Sequence, residues 1–221
     1  MQRHFDEELR KLKDGILIMA TSVDQAILES VEALKTLDAS KAKDVITCDQ
    51  KIDEMENTLQ EHCLNLLACQ QPMAIDLRFL TMAMSITTDL ERMADLAVDI
   101  AQRVCELADK PLLKPLIDIP QLTVIAQQMI KKAINAFLNN DADLARKVIL
   151  MDNEADRLRN LIQKELICDY MAKDPTTATR AVPLLLIARH LERICDHATN
   201  IAEDIIYMID AKVVKHHPEN L

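Results

Sequence analysis

Pairs of carboxylate side chains recur four residues apart along this sequence. An α-helix turns once every ~3.6 residues, so side chains at this spacing are neighbours on one helix face. A single pair means little in a chain with 36 acidic residues. Four pairs, however, occupy matching places in the two halves of the chain: Asp49 and Asp53, Glu91 and Asp95, Asp152 and Asp156, Glu192 and Asp196. Like charges at this spacing destabilise a helix by about 0.2–0.5 kcal/mol per pair, which suggests that something offsets the repulsion.

A bound cation would provide that offset. Several carboxylate oxygens at one place suit hard divalent cations or iron. Neighbouring arginines offer an alternative, because Arg92 and Arg193 adjoin the acids and could pair with them in place of a metal. On a helical wheel the acids form stripes that are separate from the apolar stripe, and these stripes extend to Asp99 in one half and to Asn200 and Glu203 in the other.

The acids belong to an internal repeat that covers nearly the whole chain. Residues 33–38 align with residues 136–141 at an offset of 103, and Asp49 and Asp53 align with Asp152 and Asp156 at the same offset. The segment LERMADLAVDIAQR (residues 90–103) returns as LERICDHATNIAED (residues 191–204), at an offset of 101. Between the copies lies KPLLKPLIDIP, with three prolines that end a helix and stiffen a linker.

The composition predicts an all-α protein. Only one Gly, three Phe, two Tyr and no Trp are present, whereas good helix formers dominate. We expect two tandem, sequence-related antiparallel three-helix bundles, as domains of residues 1–112 and 113–221; one mixed six-helix bundle is the alternative. The six predicted helices cover residues 5–36, 40–68, 72–109, 121–138, 141–170 and 175–210. Pro72 is expected in a first helical turn, Asp174 as a helix cap, and Pro183 as the site of a kink or a restart.

Charge and motif content exclude several classes of protein. A net charge of −10 without a basic stripe argues against nucleic acid as a partner. No apolar run is long enough to span a bilayer and the N-terminus lacks a signal-peptide core, so a cytoplasmic location is expected. The six cysteines form no CxxC pair and are expected to be small buried hydrophobes. No nucleophile has a placed base and no Glu-x-x-His occurs, so an enzyme is not expected.

Five segments together resemble the PhoU family of phosphate-specific transport accessory proteins. They are CDQKIDEME, CLNLLACQQPMAIDLRFL and TTDLERMADLAVDIA in the first copy, and MDNEADRL and LLLIARHLERICDHATNIAEDIIY in the second. The resemblance covers almost the whole chain. It implies two similar three-helix bundles, each with an E(D)xxxD motif that binds multinuclear clusters of iron or other divalent metal ions.

Carried onto this chain, the family motif falls on the acids singled out above. The resulting candidate metal ligands are Asp49, Asp53, Glu91, Asp95, Asp99, Asp152, Asp156, Glu192, Asp196, Asn200 and Glu203. The family often has Gly just before the final Asp, where this chain has Ala94 and Cys195. Asn200 replaces a carboxylate with a weaker amide ligand, so we expect the second site to hold fewer metal ions or to bind them less tightly, with Glu203 as a compensating ligand.

The resemblance also implies a regulatory function. Members of the family are cytoplasmic homodimers without enzymatic activity that repress the phosphate-starvation response and phosphate uptake when phosphate is plentiful. Their implied partners are the ATPase subunit of the phosphate transporter and the phosphate-sensing histidine kinase. The residues leave two alternatives open, a metal-binding helical scaffold and a metal-dependent enzyme. QQPMAIDLR, between two predicted helices, is a candidate contact loop.

Overall fold

The computed structural model describes residues 2–211, with side chains from residue 5 onward, and confirms the predicted all-α class. Residue 1 of the first predicted domain and residues 212–221 of the second lie outside the described residues. Within the described range, the chain forms helices and turns and no strand. The helices are α1 (Gln2–Thr36), α2 (Ala39–Cys48), α3 (Gln50–Gln70), α4 (Ile75–Leu107), α5 (Asp118–Asn139), α6 (Ala142–Glu165) and α7 (Ala178–Asp210).

The repeat is visible in the way the first helix of each copy ends. Leu37 and Asn140 adopt left-handed backbone conformations, with φ of 52° and 51°. The next residues, Asp38 and Asp141, donate their N–H groups to the carbonyls of Ala33 and Ala136 at 2.9 Å. Each aspartate side chain then caps the following helix by accepting hydrogen bonds from backbone N–H groups in its first turn. The same stop-and-restart signal therefore joins the first two helices of both copies.

Several predicted helix bounds need correction. Residues 40–68 form two helices, α2 and α3, that meet at Asp49, whose backbone is itself helical with φ −59° and ψ −40°. Pro72 is not in a helical turn, because the left-handed residues Gln71 and Ala74 delay the start of α4 to Ile75. Helix α5 begins at Asp118 rather than residue 121, and α6 passes into a π-helical turn, Leu166–Met171, before residue 170.

Pro183 does not restart its helix, and a kink at this residue stays a prediction. Asp174 caps a short 3₁₀ turn, Pro175–Thr177, and α7 then runs without interruption from Ala178 to Asp210. A proline lacks the N–H that would bond to the carbonyl four residues earlier, here that of Thr179. Lys110 Nζ donates to this carbonyl at 3.2 Å. The carbonyl that the proline would leave free is thus satisfied from outside the helix.

The helices pack as two three-helix units that share one core. In the first unit α1, α2–α3 and α4 contact one another, and in the second α5, α6 and α7 do so. Helices α4 and α7 form the most extensive helix–helix contact in the described chain, and it lies between the units. Buried side chains of both units belong to a single continuous hydrophobic cluster. The units therefore pack side by side against each other, and the predicted domain boundary at residue 112 stays a prediction.

The seam between α4 and α7 is antiparallel. Arg78 Nε donates to the Met208 carbonyl at 3.1 Å, and Ser85 Oγ donates to the Asp204 carboxylate at 2.5 Å. Further along α4, Asp89 Oδ1 lies 2.8 Å from His197 Nδ1. Residue numbers rise on one helix as they fall on the other, which defines the direction. No described helix has the length and apolarity needed to cross a membrane.

Candidate metal centres and their surroundings

The first carboxylate cluster lies between α3 and α4. Apolar residues on the adjoining helix faces, Ile52 on α3 and Met93 on α4, are buried and bring the acids of both helices to one groove. Burial, together with the charges of Asp53 and Asp95, raises the pKa of Asp49 from its ordinary value to about 6. Of the acids predicted from the sequence in the first copy, Asp49, Asp53 and Asp95 thus lie close enough together to repel one another.

Glu91 is the most enclosed acid on the α4 side of this cluster. Its side chain is 17% exposed, whereas the sequence predicted an outward-facing stripe. Burial raises the pKa of Glu91, as do the charges of Asp95, Glu56 and Asp53, while Arg92 opposes the rise. Glu56 was not among the predicted ligands, and it adds a further carboxylate to this site.

The second cluster repeats the arrangement between α6 and α7. Burial and the charges of Asp196, Asp156, Glu192 and Glu203 raise the pKa of Asp152 to about 6. Desolvation and the neighbouring Glu192 and Asp156 likewise raise the pKa of Asp196. The acids predicted from the second copy are therefore also brought together, with Glu203 among them.

Arginine side chains pair with acids in both clusters. Arg92 contacts Asp95 at 2.9 Å and Glu91 at 3.4 Å. In the second cluster the arginine is Arg159 of α6, which lies 2.8 Å from Glu192 and 3.8 Å from Asp156. Arg193, which the sequence suggested for this role, forms no ion pair with a described residue. Among the residues that the structure describes, no three His, Cys, Asp or Glu side chains are already arranged as ligands of one metal ion.

The remaining predicted ligands lie at the margins of the clusters. Asp99 is directed toward the seam, with Oδ2 3.8 Å from Nδ1 of His190 on α7. Asn200, the corresponding residue of the second copy, is partly buried one turn beyond Asp196. The small residues that precede the last aspartate of each motif, Ala94 and Cys195, are 1% and 0% exposed. Their size matches the tight contact of α4 and α7 with the rest of their units.

The donor chemistry of both clusters fits a hard cation. Each cluster offers at least four carboxylates from two helices, and oxygen ligands of this kind suit divalent ions and iron. Burial first, and then the charges of the neighbouring acids, raise the pKa of Asp49 and of Asp152. A bound divalent cation would stabilise the ionised form of such carboxylates.

One position distinguishes the two clusters chemically. At the offset of 103 that aligns Asp49 with Asp152, Glu56 aligns with Arg159. Glu56 adds negative charge to the first cluster, and Arg159 neutralises part of the second. The comparison of residues 56 and 159 could have been made from the aligned copies, but only the structure shows that both side chains reach the acids.

A cavity of about 590 Å³ opens beside the second cluster, between α6 and α7. Its walls carry three arginines, one glutamine and two of the cluster acids: Arg159, Gln163, Arg189, Arg193, Glu192 and Asp196. This cavity could not be predicted from the sequence, because its arginines come from two helices that are about thirty residues apart in the chain.

Two other predicted features have mixed outcomes. The candidate contact loop is strongly exposed, with Met73 at 80% and Ile75 at 67%, and its role as a contact stays a prediction. The expectation that all cysteines are buried is wrong: Cys63 and Cys195 are buried, but Cys48, Cys69 and Cys168 are exposed. The exposed cysteines occupy the solvent sides of amphipathic helices and of the π-helical turn, where no core partner is available.

The fold and the site define a duplicated three-helix bundle with a carboxylate cluster in each copy, and comparison with known proteins identifies its family. The family model of the PhoU domain matches residues 16–104 and again residues 119–205. The chain belongs to the PhoU family.

Curated relatives and solved structures of the family match this chain over almost its whole length. A phosphate-specific transport system accessory protein PhoU homolog of Aquifex aeolicus is 39% identical over 95% of this chain and 95% of its own length. The homolog of Pseudomonas aeruginosa is 34% identical over 98% of this chain and 89% of its own. The crystal structure of PhoU from Pseudomonas aeruginosa has a TM-score of 0.89 at 33% identity, covering 94% of this chain and all (100%) of that one. That of the phosphate transport system regulatory protein PhoU from Streptococcus pneumoniae has a TM-score of 0.88 at 29% identity.

These comparisons confirm the family resemblance and the duplicated bundle. They also place the chain among relatives that are named as accessory proteins of phosphate transport.

Proposed function

We propose that this protein represses the phosphate-starvation response and phosphate uptake when phosphate is abundant, as a cytoplasmic homodimer that binds metal at its two carboxylate clusters. The match of the PhoU domain to both halves of the chain is the observation that carries the proposal. Its partners would be the ATPase subunit of the phosphate transporter and the phosphate-sensing histidine kinase. The protein would act through contacts with them and not through catalysis.

Deletion of the gene tests the regulatory role. In cells grown with abundant phosphate, the deletion should give high alkaline phosphatase activity, and a plasmid copy of the gene should restore repression. Normal repression in the deletion strain, together with the absence of a second gene of this family, would refute the regulatory role.

Co-purification tests the partners. The full-length protein should retain the transporter's ATPase subunit and the kinase when each is produced alone with it. A variant that no longer represses but still retains both the ATPase subunit and the kinase would contradict a mechanism that depends on contact alone. Size-exclusion chromatography with light scattering tests the dimer, and a mass of one chain at micromolar concentration would refute it.

We propose further that each cluster holds metal through oxygen ligands from two helices. Divalent ions or iron would neutralise carboxylates whose pKa values are raised by burial and mutual repulsion. The principal ligands would be the paired acids on the two helices of each cluster: Asp49, Asp53, Glu91, Asp95, Asp152, Asp156, Glu192 and Asp196. A cation there would also tie α3 to α4 and α6 to α7.

Metal analysis of matched variants tests this assignment. Asp95→Asn and Asp196→Asn should each lower the metal content of protein dialysed against iron or manganese. Asp109→Asn, an exposed aspartate beyond the end of α4, is the control and should keep full content. Unchanged content in both cluster variants would show that the sites are wrongly assigned. If metal is lost while repression persists, the metal has a structural role only.

A further inference from the structure

The arginine-lined cavity beside the second cluster is not explained by metal binding. Arg159 and Gln163 reach it from α6, one turn apart, and Arg189 and Arg193 reach it from α7 at the same spacing. Guanidinium groups repel metal ions, and three of them outnumber the two carboxylates of the walls. The cavity is therefore a place of positive charge on a chain whose net charge is −10.

Much of that positive charge has no partner. Arg159 is held by Glu192 at 2.8 Å, but its Nε atom is buried without a hydrogen-bond partner. Arg189 and Arg193 are exposed, and neither forms an ion pair or a hydrogen bond within the described part of the chain.

The first copy lacks this arrangement. Residues 56, 88 and 92 correspond to 159, 189 and 193, and the first copy has Glu56, Thr88 and Arg92 there. Thr88 Oγ1 donates to Glu56 at 2.9 Å, and Arg92 pairs with Asp95. One arginine, already paired, thus stands where the second copy has three. The cavity is a property of one copy and not of the repeated bundle.

We propose that the cavity between α6 and α7 binds a small phosphate-bearing anion through Arg159, Arg189 and Arg193. Guanidinium forks bind the oxygens of phosphate in a directional way, and a tetrahedral anion can accept such forks from two helices at once. The biological meaning of this site rests on the proposed function: the regulator of phosphate uptake would itself bind a phosphate-bearing ligand.

Asp196 gives the site selectivity. Its carboxylate is the acid of the cavity wall that Arg159 does not hold, and it can accept a hydrogen bond from the P–OH group of hydrogen phosphate. Sulfate has no such proton at neutral pH, so it would face the carboxylate with an unpaired oxygen. A volume of about 590 Å³ also leaves room for the phosphate groups of a nucleotide.

Calorimetry on the full-length, EDTA-treated protein tests the proposal. Inorganic phosphate, ATP and sulfate are titrated separately into the wild type, R189A/R193A and R92A. Phosphate or ATP should bind the wild type, and whichever binds more tightly identifies free phosphate or a nucleotide as the source. Sulfate should bind at least tenfold more weakly. R189A/R193A should lose at least tenfold in affinity, whereas R92A, the matched arginine of the first copy, should bind as the wild type does.

Three results would overturn the proposal. They are the absence of phosphate and ATP binding in EDTA-treated protein, equal affinity for sulfate, and equal loss in R92A and R189A/R193A. If R189A/R193A fails to fold by circular dichroism, R189K/R193K replaces it; it keeps the charge but loses the forks and should bind more weakly than the wild type. Normal repression in the deletion strain of a host without a second gene of this family would refute the proposed function and leave this binding result standing, so the two failures are distinguishable.

Discussion

Asp49 and Asp152 carry the strongest electrostatic signature among the cluster acids. Asp49 lies where α2 meets α3, and Asp152 lies at the matching position on α6. Burial and neighbouring carboxylates raise the pKa of each to about 6. The same carboxylates that would bind a cation are therefore unfavourable in the metal-free protein. At these two residues the proposed metal binding would therefore oppose the stability of the metal-free protein.

The raised pKa of Asp49 predicts how stability depends on pH. Its folded-state pKa of about 6 exceeds the ordinary value of 3.8, so the folded protein holds this proton more tightly than the unfolded chain. The resulting loss of stability is absent below pH ~4 and complete above pH ~6. Asp49→Asn should therefore stabilise the metal-free protein at pH 7.5 by about 1 kcal/mol, after allowance for solvent screening, and should have little effect at pH 4.

Urea unfolding of EDTA-treated protein at the two pH values measures this effect. D44N, a change of an exposed aspartate on α2, serves as the control and should show no such pH dependence. A loss of stability in D49N at pH 7.5 without metal would contradict the proposed repulsion. With metal added, the sign should reverse, because the wild type gains the ligand's binding energy and the variant does not.

Arg159 predicts a difference in metal affinity between the copies. Its guanidinium lies 2.8 Å from Glu192 and competes with a cation for that carboxylate. Arg159→Gln should raise the affinity of the second cluster for manganese by about tenfold, which corresponds to about 1.4 kcal/mol. Arg157→Gln, an exposed arginine of the same helix, is the control. Manganese titration followed by electron paramagnetic resonance would measure both, and equal affinities in the two variants would show that Arg159 does not compete.

At the scale of the helices, the duplicated caps should stabilise both copies. Asp38 accepts hydrogen bonds from Ser40 and Lys41 at 2.9 and 3.1 Å, and Asp141 accepts one from Leu144 at 2.9 Å. Asp38→Ala and Asp141→Ala should each lower the free energy of unfolding by about 1 kcal/mol, since a helix cap has about that value. Chemical denaturation measures the loss. Asp38 makes two cap hydrogen bonds and Asp141 one, so D38A should lose at least as much free energy of unfolding as D141A. A smaller loss for D38A would contradict this expectation.

Most helices could be predicted because their apolar periodicity is long and regular, as in α1, α4 and α7. Features that depend on a single backbone conformation could not be predicted, and the left-handed Gln71 and Ala74 that delay α4 are examples. The predicted restart of the helix at Pro183 was wrong for a related reason. Its effect depends on whether another group satisfies the Thr179 carbonyl, and Lys110 comes from a different part of the chain. Side-chain partners across helices, such as Arg159 with Glu192, were equally out of reach.

At the scale of the whole molecule, the shared core predicts a single unfolding transition. The two units meet along α4 and α7, and their buried side chains form one cluster. Ile86 and Ile187 occupy matching positions at the offset of 101 and are each 0% exposed. Ile86→Ala and Ile187→Ala should each lower the midpoint of the same transition, with a loss of about 2–5 kcal/mol. Differential scanning calorimetry would measure the shift of the midpoint. Two transitions, each shifted by only one of the variants, would show that the units unfold independently.

The antiparallel seam has a symmetry that the linear repeat does not convey. Exchange of α4 with α7 at the offset of 101 carries the positions of Asp89 and His197 onto those of His190 and Leu96, close to where Asp99 approaches His190. In both observed contacts α4 supplies the acid and α7 the imidazole, so the exchange preserves positions and not chemistry. Contacts that repeat in reverse about a twofold axis are isologous, the kind by which two identical chains associate. The antiparallel pairing of α4 with its own repeat, α7, is thus the kind of contact that a C2 dimer makes between identical helices, and Glu56 and Arg159 are equivalent positions at which the two copies differ.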